Sequence, residues 1–396
     1  MIGGFWREDI QSHLMSAQHR KNIIVVIATR PDIIKLAPVI RALRDDAERF
    51  GVKVLFTSQH RDLAAPLLEY FAIEPDFNLD VMTAGQSPEG VTARVLERAG
   101  EVFAGESPDW VVVQGDTTSA MASAMAAYYR KIPVAHVEAG LRTDTIYNPF
   151  PEEMNRRLIT RLAGLHCAAT AMNRRALLDE GVPDATIHVT GNPVIDAMSM
   201  ILERDDASAP PIAREIASRE HMLLLLTTHR RENFGDAQRE IFRAVTAIVE
   251  EHPSVEVVFS VHPNPAVSEA IARHLPAHPR IHRIAPLDYP AFIHLLALSG
   301  LVLSDSGGIQ EEAPALGKPL LILRTTTERP EAVDAGSARL VGVGFEEITA
   351  AARDILLNNE RYAAMATPRF PFGEGDAAGK IAEALYAAPA SPATRA

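Results

Sequence analysis

Two carboxylates sit where a parallel sheet would present them together. Asp116 in "VVVQGDTTSA" follows one apolar run, and Glu138 in "PVAHVEAGLR" ends the next. If those runs are neighbouring parallel strands, both side chains emerge at one sheet edge and share a pocket. Carboxylates placed apart in this way can remove a proton from one face of a carbon and return one to the other. Read alone, Asp116 is an ordinary helix N-cap for the alanine-rich run behind it. A third acid pair, Glu152-Glu153, opens "PEEMNRRLITRLAG" after Pro149 and Pro151, where the helix dipole by itself favours acids. Arg156 lies one turn beyond Glu152 on the same helix face, which sets a cation beside the acids.

Groups suited to an anion recur after other apolar runs. In "LVLSDSGGIQEEAPALGKP" a strand leads through Asp305 and Ser306 into Gly307-Gly308 and a helix. Glycines there let backbone amides approach an anion such as a diphosphate, with Ser306 as a cap or a further donor. Glu311 or Glu312, one turn on, can accept from a ribose hydroxyl, or be a solvated helix charge. "THRRENFG" places His229, Arg230 and Arg231 directly after "MLLLLT", and "VHPNP" places His262 in a similar turn. The carboxyl ends of parallel strands are where doubly wound sheets bind ligands. Arg30 and Lys35 in "TRPDIIKLAPV" also face a diphosphate on this reading, with a solvated role open for Lys35.

Those residues need parallel sheets to position them, and the pattern supplies them. Short β-rich runs alternate with helical ones along the whole chain, giving six strand candidates in each half. Apolar signals pause over residues 201–220, where Asp205, Asp206, Pro210 and Pro211 cluster, and this pause marks the division between halves. The two halves are expected to face a cleft that holds the ligand.

Composition narrows the function. With 396 residues, the chain has room for two α/β cores, and 47% hydrophobic with 23% charged residues is a globular balance. A net charge of −12 argues against general nucleic-acid or anionic-membrane binding. No apolar run reaches membrane-spanning length and the first twenty residues lack a secretory pattern, so a cytoplasmic protein is expected. The one cysteine, Cys167, lies in an apolar run and reads as a buried, inert thiol, which excludes disulfides and cysteine metal clusters. Dinucleotide, P-loop, zincin and serine-hydrolase motifs are all missing. No metal or cofactor is called for.

Taken in order, "TRPDIIKLAPV", "QHR", "QGDTTSA", "HVEAGLRT", "PFPEEMNRR", "GNPVIDA", "HRRENFG", "HPNP", "SDSGGIQEEAPALGKP" and "TTERPEAV" resemble the non-hydrolysing UDP-N-acetylglucosamine 2-epimerases. The resemblance implies an α/β glycosyltransferase-B-type fold with two Rossmann-like doubly wound domains. On it, residues 20–195 form the first domain and 196–372 the UDP-binding second, and a helix at about 373–388 crosses back. It implies a homodimer, and UDP-N-acetylglucosamine as both substrate and allosteric activator. Its catalytic acid/base carboxylates fall on Asp116, Glu138 and Glu152, and its catalytic motif histidine on His229. Arg30, Lys35, Arg156, Ser306, Gly307, Gly308 and Arg329 would hold the nucleotide sugar, Glu312 the ribose, and Phe292 would pack near uracil. Gln59, Gln86, Arg231 and His262 resemble a second, regulatory UDP-sugar site. The chain departs from the family pattern at Ala28, Asp32, Pro193 and Leu287, and at Leu63-Ala64-Ala65 after "QHR".

The implied reaction interconverts UDP-N-acetylglucosamine and UDP-N-acetylmannosamine by elimination and re-addition of UDP through a glycal, supplying activated N-acetylmannosamine for surface polysaccharide synthesis. Rival readings are a hydrolysing epimerase, an epimerase of a UDP-diacetamido uronic acid, a UDP-sugar glycosyltransferase and a non-enzymatic UDP-sugar sensor.

Overall fold

The computed structural model describes residues 20–58, 61–82, 85, 87–204, 209–262 and 264–389. The chain forms two compact units. The first runs to Pro193 and resumes at Asp376; the second is Val194–Gly375. This division precedes the Asp- and Pro-rich pause at 201–220, because the helix Pro193–Leu202 already opens the second unit.

In the first unit the strands are β1 (Lys21–Ile27), β2 (Phe50–Phe56), β3 (Phe77–Asn78), β4 (Trp110–Gln114), β5 (Val134–Ala139), β6 (Leu165–Ala168) and β7 (Ile187–Val189). They pair in parallel in the order β3-β2-β1-β4-β5-β6-β7. All five residues of β4 are buried, since helices cover both faces of such a sheet, and this is why the run is continuously apolar rather than alternating. The two-residue β3 has no apolar run and escapes sequence reading. Strand order reverses between β1 and β4, so the chain leaving each strand opens a crevice at the carboxyl edge. There Thr29-Arg30 follows β1 and Gly115-Asp116 follows β4.

The alanine-rich helix Thr118–Tyr129 is buried on most of its surface and packs against the helices Pro88–Glu106 and Glu152–Leu162. Small side chains let both neighbours approach closely. Thr117, not Asp116, caps this helix, its hydroxyl accepting from the Ala120 amide at 3.1 Å. Asp116 is therefore released from the structural role that its position suggests.

The helix Ala377–Ala387 packs on the helix Arg30–Asp45. Lys21 Nζ donates to the carbonyls of Leu385 at 2.9 Å, Tyr386 at 2.7 Å and Ala388 at 2.5 Å, satisfying groups that a helix end leaves open. Arg49 adds a forked bond to Glu383 and lies 4.7 Å from the Tyr386 ring centre. Lys21→Met keeps the apolar stem and removes the donors, so it is expected to cost about 2 kcal/mol of first-unit stability. Urea unfolding followed at this unit would contradict the assignment if the midpoint did not move.

The second unit repeats the plan with β8 (Met222–Thr227), β9 (Val255–Ser260), β10 (Ile281–Ile284), β11 (Leu301–Ser304), β12 (Leu320–Ile322) and β13 (Ala338–Leu340). All are parallel, in the order β10-β9-β8-β11-β12-β13. Its reversal lies between β8 and β11, placing His229 and Asp305-Ser306 at that edge. Phe242 and Phe259, ring centres 5.6 Å apart, anchor its core.

Candidate active site

Glu138 is the most heavily bonded of the candidate acids in the first unit. Its Oε1 accepts from Lys35 Nζ and from Asn192 Nδ2 at 3.0 Å, and its Oε2 accepts from Gln114 Nε2. Lys35, left open between diphosphate and solvent by sequence, is thus the counter-charge of Glu138. The Glu138 backbone has φ of +63° and stands at the register shift between Val137 and Ala139, where the β5–β6 pairing skips one residue before resuming at Ala139 and Ala168. A left-handed residue carrying a β-carbon costs on the order of 1 kcal/mol, and a bulge of this kind re-aims a side chain. Strain here is consistent with a position selected for where its carboxylate points.

Asp116 pairs with Arg156, which is buried, and its carbonyl accepts from Asn155 Nδ2 at 2.9 Å. Arg156 also meets Glu153 at 3.3 Å, rather than Glu152. Glu153 turns inward, fully buried, and further accepts from Arg157 at 2.7 Å and the Thr143 amide at 3.1 Å. It fastens the loop before the helix. Glu152 stays half-exposed at the helix start, with no bonded partner among the described residues. Arg30, at the first turn of its helix, is likewise half-exposed and unpartnered among the described residues. Asp32, one of the family departures, closes that helix start by accepting from the Ala28 and Thr29 amides at 2.9 and 3.0 Å. Burial pushes its carboxyl up to about 7 against those bonds.

Two buried histidines lie beneath this edge as register neighbours, His136 on β5 and His166 on β6. Burial pushes His136 down to about 3 and His166 down to about 4, with Arg142 opposing protonation of both. An unfolded chain protonates histidine near pH 6.5, so between there and those lowered values the unfolded state binds more protons. The stability of these neutral rings is fully present above that pH and is lost as pH falls. Denaturant unfolding is expected to show a weaker first unit at about pH 5 than at about pH 7.5, with a smaller drop for His136→Gln. Cys167, on the same strand as His166, is buried with its thiol pushed up to about 12, an inert group.

In the second unit, Asp305 is the organising group that sequence reading passed over. Fully buried, its carboxylate accepts from Thr228 Oγ1 at 3.0 Å, the His229 and Arg230 amides at 3.0 Å, and Asn233 Nδ2 at 2.9 Å. It also meets His229 Nδ1 at 3.2 Å. Burial alone would raise its pKa; the His229 ring and the two amides outweigh that and hold it below the usual carboxylate range. The consequence is a fixed His229 ring whose Nε2 has no hydrogen-bond partner among the described residues. His262 stacks on His229, ring centres 5.5 Å apart and 19° from parallel. Burial and the neighbouring His229 hold the His262 ring below the usual histidine range.

Arg329 pairs with Glu311 and approaches Gly307 so closely that a β-carbon there would lie 2.8 Å from its guanidinium and 3.4 Å from that of Arg230. Two cations therefore converge on the Ser306–Gly308 turn. Arg230 Nε is buried and has no hydrogen-bond partner among the described residues, a donor available to an anion; its signal was the "HRREN" run. Gly308 precedes a short helix, Ile309–Ala315, without a side-chain cap from Ser306. Glu312 is buried and accepts from Tyr289 Oη at 2.8 Å, while Phe292, on the same helix as Tyr289, is half-buried. Gln59 and Gln86 lie outside the described residues, as does the Arg231 side chain.

Two Rossmann-like units, one with carboxylates at its switch point and the other with a histidine and arginines at its own, define a two-domain α/β enzyme of glycosyltransferase-B type. The family model described as UDP-N-acetylglucosamine 2-epimerase matches residues 41–386. The chain is 43% identical over 370 residues to the UDP-N-acetylglucosamine 2-epimerase of Escherichia coli (strain K12), covering 92% of this chain and 98% of that one. Among solved structures, UDP-GlcNAc 2-epimerase from Neisseria meningitidis bound to UDP-GlcNAc aligns with a TM-score of 0.84 at 39% identity, over 92% of this chain and 99% of that one. The Methanocaldococcus jannaschii UDP-GlcNAc 2-epimerase in complex with UDP-GlcNAc and UDP aligns with a TM-score of 0.75 at 33% identity, with the same coverage. The chain belongs to the UDP-N-acetylglucosamine 2-epimerase family, a family of isomerases. Among the described residues no helix is long and apolar enough to cross a membrane.

Proposed function

We propose that the protein interconverts UDP-N-acetylglucosamine and UDP-N-acetylmannosamine without net hydrolysis. The observation that carries this reading is the Glu138 carboxylate, bonded by Lys35, Asn192 and Gln114, one strand away from the Asp116–Arg156 pair. The C2 proton of the sugar has no adjacent carbonyl to acidify it, so direct proton exchange is slow. Elimination avoids that difficulty. A carboxylate takes the C2 proton, the C1–oxygen bond breaks, the electron pair of the C–H bond forms the C1–C2 double bond, and UDP departs with the bonding pair. Re-addition of UDP at C1 with protonation of C2 on the opposite face gives the epimer. Two or three carboxylates on separate elements supply the acid and the base. Arg30, Arg230, Arg329 and the His229 ring oriented by Asp305 supply fixed positive charge and donors for the departing diphosphate. In this reading Glu312 accepts from the ribose, Phe292 packs near the base, and no metal or cofactor takes part. The product serves surface polysaccharide synthesis, the protein is a cytoplasmic homodimer, and UDP-N-acetylglucosamine also binds a regulatory site that includes His262.

Proton NMR of the protein with UDP-N-acetylglucosamine in deuterated water tests this directly. Conversion to a mixture with UDP-N-acetylmannosamine and deuterium at C2 is expected. Free N-acetylmannosamine plus UDP would instead establish hydrolysis, and transfer only when an acceptor is added would establish a glycosyltransferase.

A further inference from the structure

We propose that His136, which has no role in the chemistry above, is a positioning residue that locks the Gln114–Asp116 turn and so sets both Asp116 and Glu138 for proton transfer. The proposal rests on the epimerase reading of this site. The ring is fully buried, and Nε2 lies 2.8 Å from the Gly115 carbonyl. A carbonyl only accepts, so the ring must donate from Nε2, which leaves Nδ1 as a bare acceptor. Among the described residues nothing donates to Nδ1. A buried unpaired acceptor costs about 1–3 kcal/mol, and an apolar side chain in this strand would avoid that cost altogether. Among the described residues, the contact to Gly115 is the one hydrogen bond the ring makes in return.

That contact governs a turn on which both acids depend. Gly115 has φ of +66°, and its amide donates to the Val137 carbonyl at 3.0 Å while its own carbonyl accepts from His136. Gly115 is thus clamped to β5 through both its N–H and its C=O. On one flank Gln114 sends its amide to Glu138; on the other Asp116 reaches Arg156, and the Asp116 carbonyl is held by Asn155. Two successive carbonyls are pinned by side chains from different elements. Without the His136 donor, the Gly115 carbonyl loses its buried partner and the turn gains freedom at the two residues that aim the carboxylates.

The test compares His136→Gln, whose amide nitrogen can reach Gly115, with His136→Leu, which cannot donate, and with His136→Asn, which is polar but too short. Leucine and asparagine are expected to lower kcat by about 10- to 100-fold with KM within about 3-fold, while glutamine recovers kcat to within about 5-fold of the unaltered protein. Amide exchange at Gly115–Thr117 is expected to accelerate in the first two variants alone. If leucine prevents folding, asparagine carries the comparison. Unaltered kcat and exchange in a folded leucine or asparagine variant, or a glutamine variant as impaired as they are, overturns the proposal. Should the unaltered protein not convert UDP-N-acetylglucosamine, the epimerase reading fails by itself. The 15N shifts of the His136 ring and the amide exchange still decide the positioning role, and a proton on Nδ1 instead of Nε2 overturns it.

Discussion

Asp116→Asn and Glu138→Gln are each expected to lower turnover of UDP-N-acetylglucosamine by on the order of 10³-fold while the fold persists. Each amide keeps the shape of the side chain and one acceptor oxygen, so the Asp116 variant can still meet Arg156 and the Glu138 variant can still meet Lys35. The Asn155 bond goes to the Asp116 backbone and is untouched. What is lost is the capacity to carry a proton between the sugar and solvent. UDP affinity is expected to hold, because the arginines and His229 proposed to bind the diphosphate are unchanged. Deuterium incorporation at C2 measures the loss, and circular dichroism checks the fold. Near-normal incorporation in both variants would remove the carboxylates from the mechanism.

Asp305→Ala is expected to be the most damaging single change to stability, at about 3–5 kcal/mol for the second unit, because it removes the shared acceptor of several buried donors, of which Asn233 alone keeps a second acceptor among the described residues, the Leu323 carbonyl at 3.1 Å. Thr228, Asn233, two successive amides and the His229 ring all converge on this carboxylate. Asp305→Asn retains an acceptor and is expected to cost clearly less, while still weakening the orientation of His229. Urea unfolding separates the two, and UDP binding to the asparagine variant reads the histidine. Equal and small costs would show that the network is dispensable.

The sheets were readable because buried parallel strands announce themselves as uninterrupted apolar runs, and a two-residue strand such as β3 cannot. The same logic placed Asp116, Glu138, His229 and Ser306 at strand ends, since a parallel sheet leaves its ligand edge at the residues just past each run. Partnerships were not readable. Gln114, Asn192 and Lys35 reach Glu138 from 24, 54 and 103 residues away, and local spacing carries no record of such separations. Helical periodicity suggested a Glu152–Arg156 neighbourhood, yet Arg156 is drawn to Asp116, 40 residues back, and to the inward-facing Glu153. Asp305 was visible in "SDSGG", but a strand-end aspartate gives no hint that the loop after β8 folds around it.

The clamp of Lys21 on the carbonyls of Leu385, Tyr386 and Ala388 ties together positions more than 360 residues apart. During synthesis, β1 leaves the ribosome early, but the helix that covers its neighbour is translated only after the whole of Val194–Gly375. The second unit, drawn from one continuous stretch, can finish folding while the first still waits for its closing piece. A premature stop shortly before residue 377 would therefore injure the half of the protein encoded first, and leave the half encoded next to the lesion able to fold.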